Sequence, residues 1–121
     1  MFENYPMIPY FGFKGENVRT PITFPAQHQP IQPGMEFEMN PLPIFENPNY
    51  TPSGKLQDKV VIISGGDSGI GRAVSVLFAK EGADIVISYL NENEDANYTK
   101  QIIENYGRKC VLIPGDLRDE N

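Results

Sequence analysis

A glycine-rich turn between a strand pattern and a helix pattern constrains the fold of this chain more than any other feature. Residues 59–64 form a short, β-branched, almost wholly apolar run, which is typical of a strand covered by helices on both faces. Gly65, Gly69 and Gly71 follow with the spacing Gly-x-x-x-Gly-x-Gly. The next residues predict an amphipathic helix that ends near Lys80 and Gly82. The apolar stripe predicted for its inner face is Ile70, Ala73, Val74, Leu77 and Phe78.

The pattern of strand and helix repeats along the rest of the chain. Residues 85–89 and 110–113 predict two further buried strands, with a helix over 92–106 between them. Asn91, with Glu94 three residues later, resembles an N-cap pair, and Gly107 ends the helix. Strands that alternate with helices indicate right-handed βαβ crossovers and a parallel sheet. The predicted inner face of the second helix is Ala96, Thr99, Ile102, Ile103 and Tyr106.

The first fifty-odd residues have a different composition. Ten of the eleven prolines lie between Pro6 and Pro52, and each removes a backbone donor and disfavours helix in the residue before it. We expect residues 1–55 to form an extended arm without regular elements, with a turn at residues 32–34. Its many aromatic and aliphatic side chains favour an arm docked on another surface over a disordered tail.

Composition excludes several classes of function. The formal net charge is −6 at pH 7 and basic residues do not cluster, which disfavours a nucleic-acid partner. We find no transmembrane run of about 18 apolar residues and no secretory signal, so we expect a cytoplasmic protein. Cys110 is the only cysteine and is interpreted as a small buried side chain. His28, the only histidine, has no plausible metal or triad partners and is expected on the arm surface.

The glycine turn suits a nucleotide for a physical reason. The first glycine allows a tight turn, the second lets backbone approach a pyrophosphate, and the third lets helix and strand pack closely. The helix N-terminus then offers N–H groups and partial positive charge to phosphates. A Walker loop is excluded because no Gly-Lys-Ser/Thr ends the motif. A methyltransferase loop is the better rival, but Ser64 stands where such proteins usually have an acidic residue.

Residues 64–71, Ser-Gly-Gly-Asp-Ser-Gly-Ile-Gly, resemble the Thr-Gly-x-x-x-Gly-Ile-Gly motif of the short-chain dehydrogenase/reductase family. Gly115-Asp116-Leu117 resembles the family's Asp-Leu/Val pair, and the resemblance covers about residues 53–121. It implies a Rossmann-type α/β fold, of which residues 56–121 are the first β-α-β-α-β part. Residues 29–56, with Gln-Pro-Gly-Met-Glu at 32–36 and Glu-Met-Asn-Pro at 38–41, are similar to the proline-rich arm of a branch of stress-associated bacterial members.

The resemblance implies roles for individual residues. Backbone at the glycine loop would hold the pyrophosphate and its riboses, Asp116 would accept a hydrogen bond from the adenine amino group, and Leu117 would lie beside the ring. Tyr89 stands where NAD-selective members commonly have an acid, so NADP is weakly favoured over NAD. The predicted cofactor-binding residues are Gly65, Asp67, Ser68, Gly69, Ile70, Gly71, Tyr89, Leu90, Asn91, Asp116 and Leu117.

The family's serine, tyrosine and lysine that carry the chemistry match no segment of this chain. Tyr10 and Lys14 have the right spacing, but Gly12 and nearby prolines make a helix improbable there. We therefore expect a piece of a longer oxidoreductase acting on a carbonyl or alcohol, inactive alone, poorly soluble and with weak cofactor affinity. A homotetramer with the arm on a neighbouring subunit fits the family. The alternative is a non-catalytic nucleotide-binding or oligomerisation module.

Overall fold

The computed structural model describes residues 11–14, 18–21, 23–32 and 34–120. Three parallel strands and two helices form the globular part, as the sequence predicts. Its elements are β3 (Val60–Ser64), α1 (Gly69–Lys80), β4 (Asp84–Tyr89), α2 (Asn93–Asn105) and β5 (Cys110–Pro114). The arm contributes β1 (Phe11–Lys14), β2 (Val18–Pro21) and a short 3-10 helix at Glu36–Glu38.

The sheet has the order β3-β4-β5, with both pairs parallel. Each connection is a helical crossover, which confirms the α/β prediction. The first strand of the motif, β3, is an edge strand, and Val60 and Ile62 on it are 69% and 75% exposed. An apolar, open edge of this kind invites pairing with further chain.

The helix α1 begins and ends where the sequence predicts, but the predicted inner stripe is wrong in part. Its buried residues are Arg72, Ser75, Val76 and Ala79. Of the predicted stripe, Phe78 packs against the core, whereas Ile70 and Leu77 are exposed. The hydrophobic periodicity misled because two polar residues face inward, where their hydrogen bonds compensate for burial.

The helix α2 matches its predicted inner face more closely. Ala96, Thr99 and Ile103 are fully buried, while Tyr106 is exposed. The prediction missed Asp95, which is buried as well. Asn91 is not the N-cap, since Glu92 occupies that position without a side-chain capping bond.

The core lies between the sheet and the two helices. Ile85 and Ile87 of β4 are completely buried, and Cys110 lies among them. Burial raises the pKa of the Cys110 thiol to about 11, so the thiol is protonated and unreactive near neutral pH.

Neither α1 nor α2, nor any other helix within the described residues, is long and apolar enough to cross a membrane.

The arm contains more regular structure than the sequence predicts. The strands β1 and β2 pair antiparallel, so Lys14 lies on a strand rather than a helix; Tyr10 lies outside the described residues, as does Pro33 of the expected turn. His28 is exposed, as expected.

Residues 36–55 of the arm lie against the helices of the same chain. The carboxylate of Glu81, at the end of α1, accepts hydrogen bonds from the Tyr50 hydroxyl and from the backbone N–H groups of Ser53 and Lys55. Lys80 forms an ion pair with Glu46 at 2.8 Å. The arm is therefore fixed to α1 by a buried carboxylate and an ion pair.

The Glu81 contact predicts a pH dependence of stability. The hydrogen bond from Tyr50, with those from the backbone, lowers the Glu81 pKa from 4.5 to about 2. A depressed folded-state pKa stabilises the fold above about pH 4.5, and this contribution is lost as pH falls toward about 2. Glu81→Gln should thus lower the free energy of urea unfolding at neutral pH, and the difference from wild type should vanish near pH 2. The exposed Glu104→Gln is the control, and a wild-type–Glu81→Gln difference that stays constant with pH would contradict the assignment.

Candidate functional site

The glycine loop joins the carboxyl end of β3 to α1 and leaves space at the helix N-terminus. Gly69 has φ +54°, a conformation that L side chains rarely adopt, and no atom lies within 4 Å of where its Cβ would be. At Gly71 the opposite holds, since a Cβ would lie 2.0 Å from the Gly65 carbonyl oxygen. The loop therefore has an open cradle at Gly69 and a close helix–strand approach at Gly71, as the spacing predicts.

A buried arginine on α1 holds the loop from behind. Arg72 is 3% exposed, and its Nη2 donates to the Asp67 carbonyl at 2.7 Å. The same carbonyl accepts a hydrogen bond from the Thr99 hydroxyl at 2.9 Å, and Arg72 Nε donates to that hydroxyl. Two donors from two helices thus fix the Asp67 peptide in the middle of the loop.

The charge of Arg72 is balanced by two carboxylates, one of which comes from the arm. Arg72 Nη1 lies 2.9 Å from Glu36 Oε1, and Nη2 lies 3.5 Å from Asp95 Oδ1. The ring centroids of Phe45 and Tyr98 lie 5.4 and 4.9 Å from the guanidinium carbon of Arg72. A buried guanidinium needs this degree of pairing, because an uncompensated buried charge costs about 3–5 kcal/mol.

A cavity of about 400 Å³ opens beside the loop, at the carboxyl ends of all three strands. In open parallel sheets, ligands bind in this crevice. Its lining residues come from the loop, from the end of β4 and from the segment after β5. They are Ser64, Gly65, Asp67, Ser88, Tyr89, Leu90, Glu92, Gly115, Asp116, Leu117 and Arg118.

The Asp116 carboxylate faces this cavity from a turn after β5. Arg118 donates to it from both backbone and guanidinium, which lowers the Asp116 pKa to about 2. The carboxylate is ionised at neutral pH, and its two oxygens accept four hydrogen bonds, all from Arg118.

Two other acids line the cavity near Tyr89. Asp67 and Glu92 are both buried, and burial, with the Coulombic effect of Glu92 second to it, raises the Asp67 pKa. The Tyr89 hydroxyl donates to Asn93 Oδ1 at 2.6 Å, so it is directed toward the start of α2. This end of the cavity therefore carries negative charge, although residue 89 itself supplies none.

The structure brings six of the eleven predicted site residues to the cavity: Gly65, Asp67, Tyr89, Leu90, Asp116 and Leu117. Ser68, Gly69, Ile70 and Gly71 form the adjoining turn at the start of α1. Asn91 does not line the cavity. The roles of these eleven residues toward a cofactor stay predictions.

Sequence reasoning missed Glu36, Arg72, Glu92, Asp95 and Arg118. A signal was present for Arg72, because a charged residue directly after the last glycine interrupts the apolar helix start. No local pattern indicates that Glu36, 36 residues earlier in the chain, would meet it.

Comparison with known proteins agrees with this geometry. The sequence model of the short chain dehydrogenase family matches residues 59–121. "Uncharacterized oxidoreductase YhxC" of Bacillus subtilis is 60% identical over 98 residues, which are 81% of this chain and 34% of that protein. General stress protein 39 of the same species is 57% identical over 100 residues, 83% of this chain and 35% of that protein.

Solved structures share the fold, among them two with a bound nicotinamide dinucleotide. Carveol dehydrogenase from Mycobacterium avium, in complex with NAD, has a TM-score of 0.52 at 32% identity, covering 55% of this chain and 28% of that one. A short chain dehydrogenase from Burkholderia cenocepacia, in complex with NADP, has a TM-score of 0.51 at 35% identity, covering 54% and 26%.

The fold and the loop define a Rossmann-type nucleotide-binding unit. The chain belongs to the short-chain dehydrogenase family, since the family's sequence model covers more than half of it. It spans about a third of the length of the curated relatives it matches.

The contact at Gly71 predicts a large effect of one methyl group. Gly71→Ala would place a Cβ against the Gly65 carbonyl, so helix and strand must separate. We expect the free energy of unfolding to fall by about 2–4 kcal/mol, the range for overpacking and strained backbone together. Ile70→Ala, at the exposed neighbouring position, should change it by less than about 0.5 kcal/mol. Equal urea midpoints for Gly71→Ala and wild type would contradict the close approach.

Proposed function

We propose that this chain supplies the dinucleotide-binding part of an NAD(P)-dependent oxidoreductase that transfers hydride between the nicotinamide and a carbonyl or alcohol. One observation carries the proposal: the Gly69 cradle at the N-terminus of α1 adjoins the cavity at the carboxyl ends of the strands. A nicotinamide dinucleotide would supply the hydride chemistry there. Relatives named as oxidoreductases, and family structures holding NAD or NADP, support it.

The residues of the chain would divide the work of binding. Backbone N–H groups at Ser68, Ile70 and Gly71 would receive the pyrophosphate, because the helix dipole and its N–H groups both favour an anion. Gly69, whose own N–H donates to Glu36 Oε2, would leave the space for it open. Asp116 would accept a hydrogen bond from the adenine amino group in place of one from the exposed Arg118 side chain. These residues bind and orient the cofactor, and we assign a catalytic role to none.

Catalysis would need the serine and the Tyr-x-x-x-Lys pair that the family uses, so we expect no turnover by this chain alone. The nucleotide sequence after codon 121 distinguishes the enzyme from a non-catalytic binding module. An Asn-Asn-Ala-Gly turn and a Tyr-x-x-x-Lys pair within roughly the next 80 codons would support the enzyme, and a stop or an unrelated sequence would contradict it. A cytoplasmic homotetramer with the arm on a neighbouring subunit stays a prediction, and the arm contacts described above lie within one chain.

Binding itself is tested by a pair of glycine variants. Gly69→Ala places a side chain in the cradle, whereas Gly107→Ala introduces the same backbone strain at φ +80° after α2, away from the cavity. Both should lose about 1–2 kcal/mol of stability. Only Gly69→Ala should weaken NAD binding, by about tenfold or more in Kd, as measured by calorimetric or NMR titration. Equal Kd values for the two variants, or no binding of NAD or NADP by wild type at millimolar concentrations, would contradict the proposal.

The choice between NAD and NADP rests on opposing groups. The absence of an acid at Tyr89 favours NADP weakly, as the sequence suggests. The carboxylates of Asp67 and Glu92 in the same cavity disfavour the additional 2′-phosphate. The preference stays a prediction, and the sign of each group's effect can be measured separately.

Glu92→Gln tests the electrostatic contribution. It removes one negative charge and keeps an acceptor for the Asn91 N–H that Glu92 now engages at 3.0 Å. We expect the ratio of NAD to NADP dissociation constants to rise about three- to tenfold, as Coulomb energies of roughly 1 kcal/mol imply. The exposed Glu94→Gln is the control and should leave the ratio unchanged. An unchanged ratio in Glu92→Gln would show that this carboxylate does not face the ribose.

A further inference from the structure

The glycine loop of this chain is held by a residue of the arm. The Gly69 N–H donates to Glu36 Oε2 at 2.8 Å, across 33 residues of sequence. This N–H is one of the first in α1, where intrahelical acceptors are absent. The other oxygen of the same carboxylate pairs with Arg72 at 2.9 Å, so a single side chain connects the loop to its arginine.

Several hydrogen bonds hold Glu36 and the residue before it in place. Its backbone N–H donates to Asp95 Oδ2 at 3.0 Å, and the residue is 6% exposed. Gln29 holds the preceding residue through paired hydrogen bonds with both the N–H and the carbonyl of Met35. The carboxylate therefore has little freedom to leave the loop.

The residues before and after Ser68 are held by different side chains of the cluster around Arg72. Arg72 and Thr99 hold the Asp67 carbonyl on one side, and Glu36 holds the Gly69 N–H on the other. Glu36 does not line the cavity beside the loop. It touches the loop from the side of the helices, between Arg72, Asp95 and Tyr98.

We propose that Glu36 is a positioning residue for dinucleotide binding: through Gly69 and Arg72 it sets the direction of the N–H groups that receive the pyrophosphate. The arm thus forms part of the cofactor site without touching the cofactor. This inference rests on the proposed function. It requires that loss of the carboxylate weakens binding of the phosphate part of the ligand and leaves the adenosine part unaffected.

The chain offers a matched control in the same 3-10 turn. Glu38 has the same side chain and is exposed, so Glu38→Gln changes the net charge as Glu36→Gln does. Titrations of the full chain with NAD and with adenosine then separate the phosphate-binding loop from the adenine pocket. Glu36→Asp, which keeps the charge on a shorter side chain, tests rescue.

We expect Glu36→Gln to weaken NAD binding about five- to twentyfold, with the Kd for adenosine within twofold of wild type and with partial recovery in Glu36→Asp. Glu38→Gln should match wild type for both ligands. Equal NAD affinity in Glu36→Gln and Glu38→Gln would overturn the inference. A parallel loss of affinity for NAD and adenosine in Glu36→Gln would also overturn it, because it would mark a merely structural role. The same conclusion would follow if both Glu36→Gln and Glu36→Asp failed to fold. Wild type that binds neither ligand overturns the proposed function, and this inference with it.

Discussion

The buried guanidinium of Arg72 joins parts of the chain that are far apart in sequence. It pairs with Glu36 of the arm and with Asp95 of α2, and it donates to the Asp67 carbonyl of the glycine loop. Taking such a charge out of water costs several kcal/mol unless each donor is satisfied. Because the partners come from three segments, the loop, the second helix and the arm can reach this arrangement only together.

The same cluster holds the shape of the glycine loop. A glycine loop has few side chains of its own to hold its shape, so its peptide directions must be set by neighbours. Here Thr99 and Arg72 supply donors, and Glu36 supplies an acceptor. Further along α1, the Glu81 carboxylate holds the arm near residues 50–55. The arm is therefore attached at both ends of α1, and the helix that carries the loop is its main support.

Apolar surface on the other side of the sheet remains uncovered. Val60 and Ile62 on β3, with Val111 and Ile113 on β5, are exposed. In a parallel sheet both faces are normally covered, so a strand and helices beyond β3 would find a ready surface.

The strands, helices and glycine loop could be predicted because their signals are local. Residues 59–64 and 85–89 are apolar runs of strand length, and each helix is bounded by a glycine. The inner face of α1 could not be predicted, because Arg72 and Ser75 face inward only when partners from distant segments are present. Asp116 was predicted from the resemblance. Glu92 and Arg118 line the cavity because of the course of the chain after β4 and after β5, which no local pattern indicates. The docking surface of the arm was equally hidden, since Glu36 has no periodic pattern around it.

Amide chemical shifts test the central claim most directly, because the claim places a dinucleotide against named backbone N–H groups. The account predicts that NAD titrated into the isotopically labelled chain shifts the amides of residues 65–71 and 115–118 in a saturable way. Gly107 and other amides at the opposite end of the sheet should stay in place. Shifts confined to other regions, or none at millimolar NAD, would contradict it.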